Sequence, residues 1–149
     1  MFGSFKKAAK KEPEKKIHPE LGELEDIGFW LGRSECKMFG KLFELKLFLF
    51  VDEDIKTDIA AQLESYRYYR ENMEEINRLA LKELSDVYEL DNETDLEKGF
   101  QPTTLILFPN GDCGLSFRDM TEIRGSSAAQ MVVEILPKIK FVGSEDDYC

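Results

Sequence analysis

Trp30-Leu31-Gly32-Arg33-Ser34-Glu35-Cys36-Lys37-Met38-Phe39-Gly40-Lys41-Leu42-Phe43-Glu44-Leu45-Lys46-Leu47-Phe48-Leu49-Phe50-Val51 has the pattern of two strands joined by a turn. In an extended chain Trp30, Gly32, Ser34 and Cys36 share one face. Phe29 and Leu31 begin the other face and Arg33, Glu35 and Lys37 continue it, a period of two. Phe39-Gly40-Lys41 reads as the turn. The run from Leu42 to Val51 sets Phe43, Leu45, Leu47, Leu49 and Val51 on one face, and Glu44, Lys46, Phe48 and Phe50 on the other. It starts amphipathic and ends apolar on both sides, which predicts a central strand covered on both faces at one end.

The period changes after Asp52-Glu53-Asp54. A helix is expected there, with Asp54 or Thr57 as N-cap and Ile59, Leu63 and Tyr66 on one stripe. Asn72, with Glu75 three residues on, reads as a second N-cap and a variant capping box. The helix after it places Ile76, Leu79, Ala80, Leu84, Val87 and Tyr88 on one face. Two amphipathic helices joined at a tight corner need one apolar surface to cover, and the strand before them supplies it.

Residues 91–101 read as a polar connection, after which strand signals return at Thr103 to Phe108. Pro109-Asn110-Gly111-Asp112 reads as a hairpin turn, because Asn-Gly tolerates the positive φ that tight hairpins need. Cys113, Leu115 and Phe117 then alternate with polar or small residues. Beyond a loop at 119–127, Met131, Val133 and Ile135 alternate with Gln130, Val132 and Glu134, and Pro137-Lys138 turns into a last strand over Ile139 to Val142. The expected fold is α+β, a single antiparallel sheet of about six strands packed by two consecutive amphipathic helices. Residues 1–16 are expected to form a disordered lysine-rich tail, 17–143 a single domain and 144–149 an acidic C-terminal tail.

Charge narrows the function. The formal net charge is −10, yet residues 1–16 hold six lysines against two glutamates, so the remainder carries about −14. A body this acidic repels phosphates, which argues against nucleic acid and for a basic protein partner. No run of apolar residues is long enough to span a membrane, and Lys6 and Lys7 interrupt the head before an export signal forms. Membrane contact is therefore not expected, although Phe2 and Phe5 with the lysines leave a peripheral adaptor as an alternative. Three cysteines without a CxxC pair fit reduced thiols and a cytoplasmic location.

Catalytic signals are sparse. His18 is the only imidazole, and its place before Pro19 favours a structural role at the entry to the fold. Cys36 and Cys113 fall within strand alternation, where cysteine packs as a small hydrophobe. Asp52, Glu53, Asp54 and Asp58 lack the glycine and distal glutamate of a calcium loop and suit a helix N-terminus. No phosphate-loop, dinucleotide, serine-hydrolase or zinc-protease motif occurs. The expectation is a non-enzymatic chain without metal or cofactor. Between Asp52 and Glu97 stand fifteen acids against five basic residues, with Tyr66, Tyr68, Tyr69 and Tyr88 close to this charge. Asp52, Glu53, Asp54, Tyr68, Tyr69, Glu71, Glu74 and Glu75 are the expected partner-binding residues, because complementary charge speeds association and tyrosines anchor interfaces. A carboxylate enzyme or small-ligand protein with a cleft between helices and sheet is the alternative.

The chain also resembles a family of small bacterial proteins known only as a domain of unknown function. The resemblance rests on the head Met1-Phe2-Gly3-Ser4-Phe5-Lys6-Lys7, on His18, Pro19, Gly22 and Leu24, on Trp30 and Gly32, and on the Phe39-Gly40 turn. It extends to a helix pair carrying Gln62, Tyr66, Tyr69 and Asn72. The family's closing Trp-Asp-x-Glu-His-Gly motif is degenerate here: Gly125 stands and Glu122 falls one place before the motif's Glu, while Met120, Thr121 and Arg124 replace Trp, Asp and His. Small acidic proteins of this kind are similar to immunity partners of bacterial toxins. That likeness implies neutralisation of a basic toxin domain, such as a nuclease, by direct binding.

Overall fold

Strand alternation and helical stripes resolve into eight strands and three helices in a computed structural model that describes residues 14–51, 59–121 and 129–144. In chain order these are β1 (Lys15–His18), β2 (Gly22–Asp26), β3 (Trp30–Met38), β4 (Lys41–Leu49), α1 (Ala60–Glu71), α2 (Met73–Tyr88), α3 (Glu93–Gly99), β5 (Phe100–Leu107), β6 (Cys113–Asp119), β7 (Ala129–Leu136) and β8 (Lys140–Ser144). The strands form one sheet in sequential order from β1 to β8.

The α+β class holds, with eight strands where about six were expected. The two additional strands, β1 and β2, carry mostly polar side chains, and of their residues only Leu24 is buried. Such strands leave little period-two signal. Lys15 and Lys16 therefore belong to β1 and not to a tail, and Ser144 closes β8. The sheet is also not wholly antiparallel: β4 and β5 run parallel, Lys46 opposite Thr104 through Leu49 opposite Leu107. Parallel neighbours need a crossover of a dozen or more residues, and the helices provide it. The third helix lies inside the expected polar connection. Asn92 caps it by accepting from Asp95 N–H at 2.8 Å, and Leu96 anchors it in the core.

β3 and β4 pair as their alternation predicts, from Trp30 opposite Leu49 to Met38 opposite Lys41. Trp30, Gly32, Ser34, Cys36 and Met38 are buried beneath the helices together with Leu45, Leu47 and Leu49. Gly32 matters for close approach, since a Cβ there would meet Leu24 Cδ2 at 2.7 Å. On the opposite face Phe29 and Phe48 have ring centroids 4.8 Å apart, Phe29 and Phe50 4.8 Å, and Phe50 stacks on Phe108 at 5.5 Å. This explains why β4 ends apolar on both sides.

The helices cross the sheet. Met73 and Asn77 of α2 meet β3 at Lys37, while Glu83 accepts from Phe141 N–H of β8. The 16 residues of α2 extend about 24 Å, the same as about five interstrand spacings of 4.8 Å. One helix thus ties the third strand to the eighth. In α1 the buried stripe is Gln62, Tyr66 and Tyr69, with Ile59 buried just before the helix and Leu63 half-buried beside it. The Gln62 amide donates to Phe50 O at 2.7 Å and Leu107 O at 3.3 Å, fastening the C-terminal ends of the parallel pair. Asn72 occupies the corner as expected but makes no side-chain cap to α2; its amide donates backwards to Tyr68 O at 3.0 Å, closing α1. The N-cap expected at Asp54 or Thr57 lies outside the described residues.

Candidate binding groove on the helix pair

The helical stripe next to the core-facing one builds an open cleft. Met73, Asn77, Leu81 and Ser85 recur every fourth residue of α2 and form one wall. The β3–β4 turn forms the other wall, and the cleft encloses about 930 Å³. The C-terminal end of α1 and the α3 residues Glu93 and Leu96 complete it.

The turn wall has an unusual backbone. Phe39 at φ 55° and Gly40 at φ 72° make the two-residue connection between Met38 and Lys41. Two positive φ angles suit a hairpin, but asparagine and glycine take the first position most readily, and a bulky side chain there is strained. The half-buried Phe39 ring packs against the core at this point, which offsets the backbone cost.

Behind the cleft, α2 holds the part of β3 that lies beyond its pairing with β2. Lys37 N–H donates to Met73 Sδ at 3.3 Å, and Lys37 O accepts from Asn77 Nδ2 at 2.9 Å. Asn77 Oδ1 accepts from the buried Tyr69 hydroxyl at 2.9 Å, and the Ser34 and Tyr66 hydroxyls lie 3.3 Å apart. Burial raises the Tyr69 phenol well above its usual range. Gln62 Oε1 is the one buried side-chain acceptor without a donor among the described residues.

The expected partner-binding residues separate. Glu71 and Glu74 stand on the rim of the cleft. Glu75 sits just outside it, bound by Arg78 through two bonds of 3.1 and 2.7 Å. The guanidinium holds the Glu75 carboxyl below its ordinary range. Tyr68 is 51% exposed, but on another flank of α1, where a cavity of about 450 Å³ includes Glu64, Ser65 and the Asn110–Asp112 turn. Tyr69 requires correction: it is fully buried and engaged with Asn77, so it supports the helix pair from inside and is not a surface anchor. Asp52, Glu53 and Asp54 lie outside the described residues.

The basic side of the cleft was not expected. Lys37, Arg70, Arg78 and Lys82 line it alongside Glu71, Glu74 and Glu93. The acid excess of this region hides these cations in sequence, since Arg70 at the end of α1, Arg78 and Lys82 on α2 and Lys37 on β3 meet only in the fold. The i, i+4 spacing of Arg78 and Lys82 was the available signal.

The other candidate groups take structural positions. His18 Nδ1 accepts from the N–H groups of Glu20 at 3.0 Å and Leu21 at 3.3 Å, shaping the β1–β2 turn. Burial pushes the Cys36 thiol up to about 11, and Cys113 is raised further still. Neither thiol supplies a thiolate near neutral pH. Both cysteines are free, and β4 and β5 lie between their strands, about three spacings of 4.8 Å, too far for a disulfide. Among the described residues no group of three His, Cys, Asp or Glu side chains is placed to hold a metal ion, and no helix is long and apolar enough to cross a membrane. No protein-family model, curated protein or solved structure matches the chain.

Proposed function

We propose that the chain is a non-catalytic protein-binding domain that docks a basic partner on the cleft side of its helix pair. The carrying observation is an open cleft with a Phe39, Met73 and Leu81 lining, whose carboxylates Glu71, Glu74 and Glu93 have no ion-pair partner among the described residues, whereas its cations Arg78 and Lys82 are paired with Glu75 and Asp86. Unpaired carboxylates around an apolar floor suit a partner that brings its own cations, and they raise its rate of encounter. The acidic balance of the chain supports the same reading. Its resemblance to small bacterial orphan proteins supports the finer one, an immunity protein neutralising a basic toxin domain such as a nuclease.

The cleft volume also falls within the range of small-ligand sites, about 300–1,000 Å³. General acid chemistry there would require a carboxyl held above its ordinary range. Glu71, Glu74 and Glu93 stand at exposed positions on an open cleft, where water competes for any reacting group. Protein binding is the stronger reading.

The test is association kinetics between the full chain and the partner isolated with it from its native cells. Binding without turnover is expected, with an association rate that falls about tenfold or more from low to physiological salt and falls again in Glu71→Lys/Glu74→Lys. A rate indifferent to both salt and charge reversal would refute the reading.

A further inference from the structure

We propose that residues 1–13 are the cover of the sheet face opposite the helices, with Phe2 and Phe5 seated over Ile106 and Val132. The inference goes beyond the docking reading and stands whether or not a partner enters the cleft.

Two rows of side chains build that face across the central strands. Lys46, Thr104, Ser116 and Val132 stand in register on β4 to β7, and Phe48, Ile106, Gly114 and Glu134 form the next row. Their strand neighbours Leu47, Leu105, Leu115 and Val133 belong to the core that the buried residues of all three helices join, so the two rows point away from it. Ile106, Ser116 and Val132 are nevertheless 0% exposed, and Thr104 is 4% exposed. Ile106 and Val132 stand outside the helix-side core. Side chains on an uncovered sheet face keep contact with water. Burial this complete within a single chain calls for a cover from that chain. An apolar cover leaves no polar group stranded here, because Ser116 Oγ donates to Gln130 Oε1 at 3.2 Å and Thr104 Oγ1 to Thr103 Oγ1 at 3.3 Å.

Sequence and connectivity select the segment. Residues 52–58 must lead from the end of β4 to Ile59, which is buried on the helix side, and residues 122–128 join the neighbouring strands β6 and β7. Each brings one large apolar side chain, Ile55 or Ile123, and residues 145–149 hold three acids. Residues 1–13 hold two aromatic rings. In a helix Met1, Phe2, Phe5, Ala8 and Ala9 share one side, and Lys6, Lys7, Lys10 and Lys11 the other, with Pro13 to end it. The apolar side suits the sheet and the lysines suit water.

The entry point and the length agree with this placement. Glu14 C=O accepts from Asp26 N–H at 2.8 Å, and Ile27 N–H donates to Phe29 O at 2.9 Å, so the described chain starts one tight turn from the Phe29, Phe48 and Phe50 rings. Residues 12–14, extended, reach about 10 Å, which equals about two interstrand spacings, from β2 to β4. A helix over residues 1–11 is about 16 Å long, and β4 to β7 measures about 14 Å at about 4.8 Å per strand.

The test is methyl and aromatic NMR on the unaltered full chain. Ring protons of Phe2 and Phe5 should give NOEs to the Ile106 and Val132 methyls. Phe2→Ser/Phe5→Ser should shift those methyls and raise the fluorescence of an added hydrophobic dye several-fold, while Lys6→Ser/Lys7→Ser should change neither. The helix-side methyls of Leu84 and Leu115 should hold their positions in both variants. An absence of NOEs from residues 1–13 to this face, or NOEs to it from Ile123 or Tyr148 instead, would overturn the inference. Ile106 and Val132 shifts that depend on protein concentration would assign the face to a second copy, and shifts that depend on added phosphatidylserine vesicles would assign it to a membrane. Either result would also overturn it.

Discussion

The Tyr69 hydroxyl donates to Asn77 Oδ1 at 2.9 Å within the core, and Asn77 Nδ2 donates in turn to the Lys37 carbonyl on β3 at 2.9 Å. This chain fixes α1, α2 and this part of β3 to one another and sets the wall of the cleft. Tyr69→Phe strands one buried acceptor and should cost about 1–3 kcal/mol. Asn77→Ala strands the tyrosine hydroxyl and the Lys37 carbonyl together and should cost more. Urea unfolding of both variants and of the double variant checks this. The double variant should fall short of the sum, because the partners share one network.

Alkaline pH should loosen the fold through the same region. The unfolded chain releases the Cys36 proton above its ordinary pKa of 9, whereas the folded chain holds it until about 11. Between those values the unfolded state binds fewer protons, so stability falls as pH rises. Cys113 and Tyr69, raised by the same burial, act in the same direction. Urea midpoints measured from pH 8 to 10 should decline, and Cys36→Ala should decline less steeply. A Cys36→Ala profile parallel to the original would count against the assignment.

On the exposed face of the β3–β4 ribbon, Glu35 stands directly opposite Glu44, and Arg33 directly opposite Lys46. Like charges in direct cross-strand register are unfavourable. Exchanging them, Glu44→Lys with Lys46→Glu, keeps the net charge and places opposite charges face to face. A gain of about 0.5 kcal/mol is expected, seen as a higher thermal midpoint at low salt that shrinks as salt is added. A lower midpoint would show that the diagonal pairs govern this face.

Phe39→Asn separates folding from binding. Asparagine accepts the positive φ of this turn position more readily, which returns about 1 kcal/mol of backbone strain. Loss of the half-buried ring removes a similar amount of apolar burial, roughly 1.5 kcal/mol. Stability should therefore change by less than about 1 kcal/mol, while affinity for the native partner falls several-fold because the cleft loses part of its lining. Unchanged partner affinity would remove Phe39 from the site.

Much of this architecture is legible in the sequence, and the rest is hidden for definite reasons. The faces of β3 and β4 follow from strict alternation between Trp30 and Val51, and the core face of α2 follows from Ile76, Ala80, Leu84 and Tyr88. The parallel β4–β5 junction is invisible, because no local pattern records which strand a chain returns to after a crossover. β1 and β2 are hidden by their polar content. In α1 the sequence pointed to Ile59, Leu63 and Tyr66, whereas the deepest stripe includes Gln62, whose amide is buried because it serves two strand carbonyls. Tyr68 and Tyr69 look alike in sequence, and only the helix rotation against Asn77 separates the surface residue from the core one. The cleft needs a turn and a helix brought together from more than thirty residues apart, as Lys37 and Asn77 are. Its acidic rim was legible, but its basic side was not.

Docking of a partner in the cleft between the β3–β4 turn and α2 can be read by hydrogen–deuterium exchange on the full chain with and without its native partner. Protection on binding should concentrate in residues 37–40, 70–85 and 93–96 and be lost in Glu74→Lys/Glu93→Lys. Protection confined to the opposite sheet face, around Phe29, Phe48, Phe50 and Phe108, with the cleft unchanged, would contradict it.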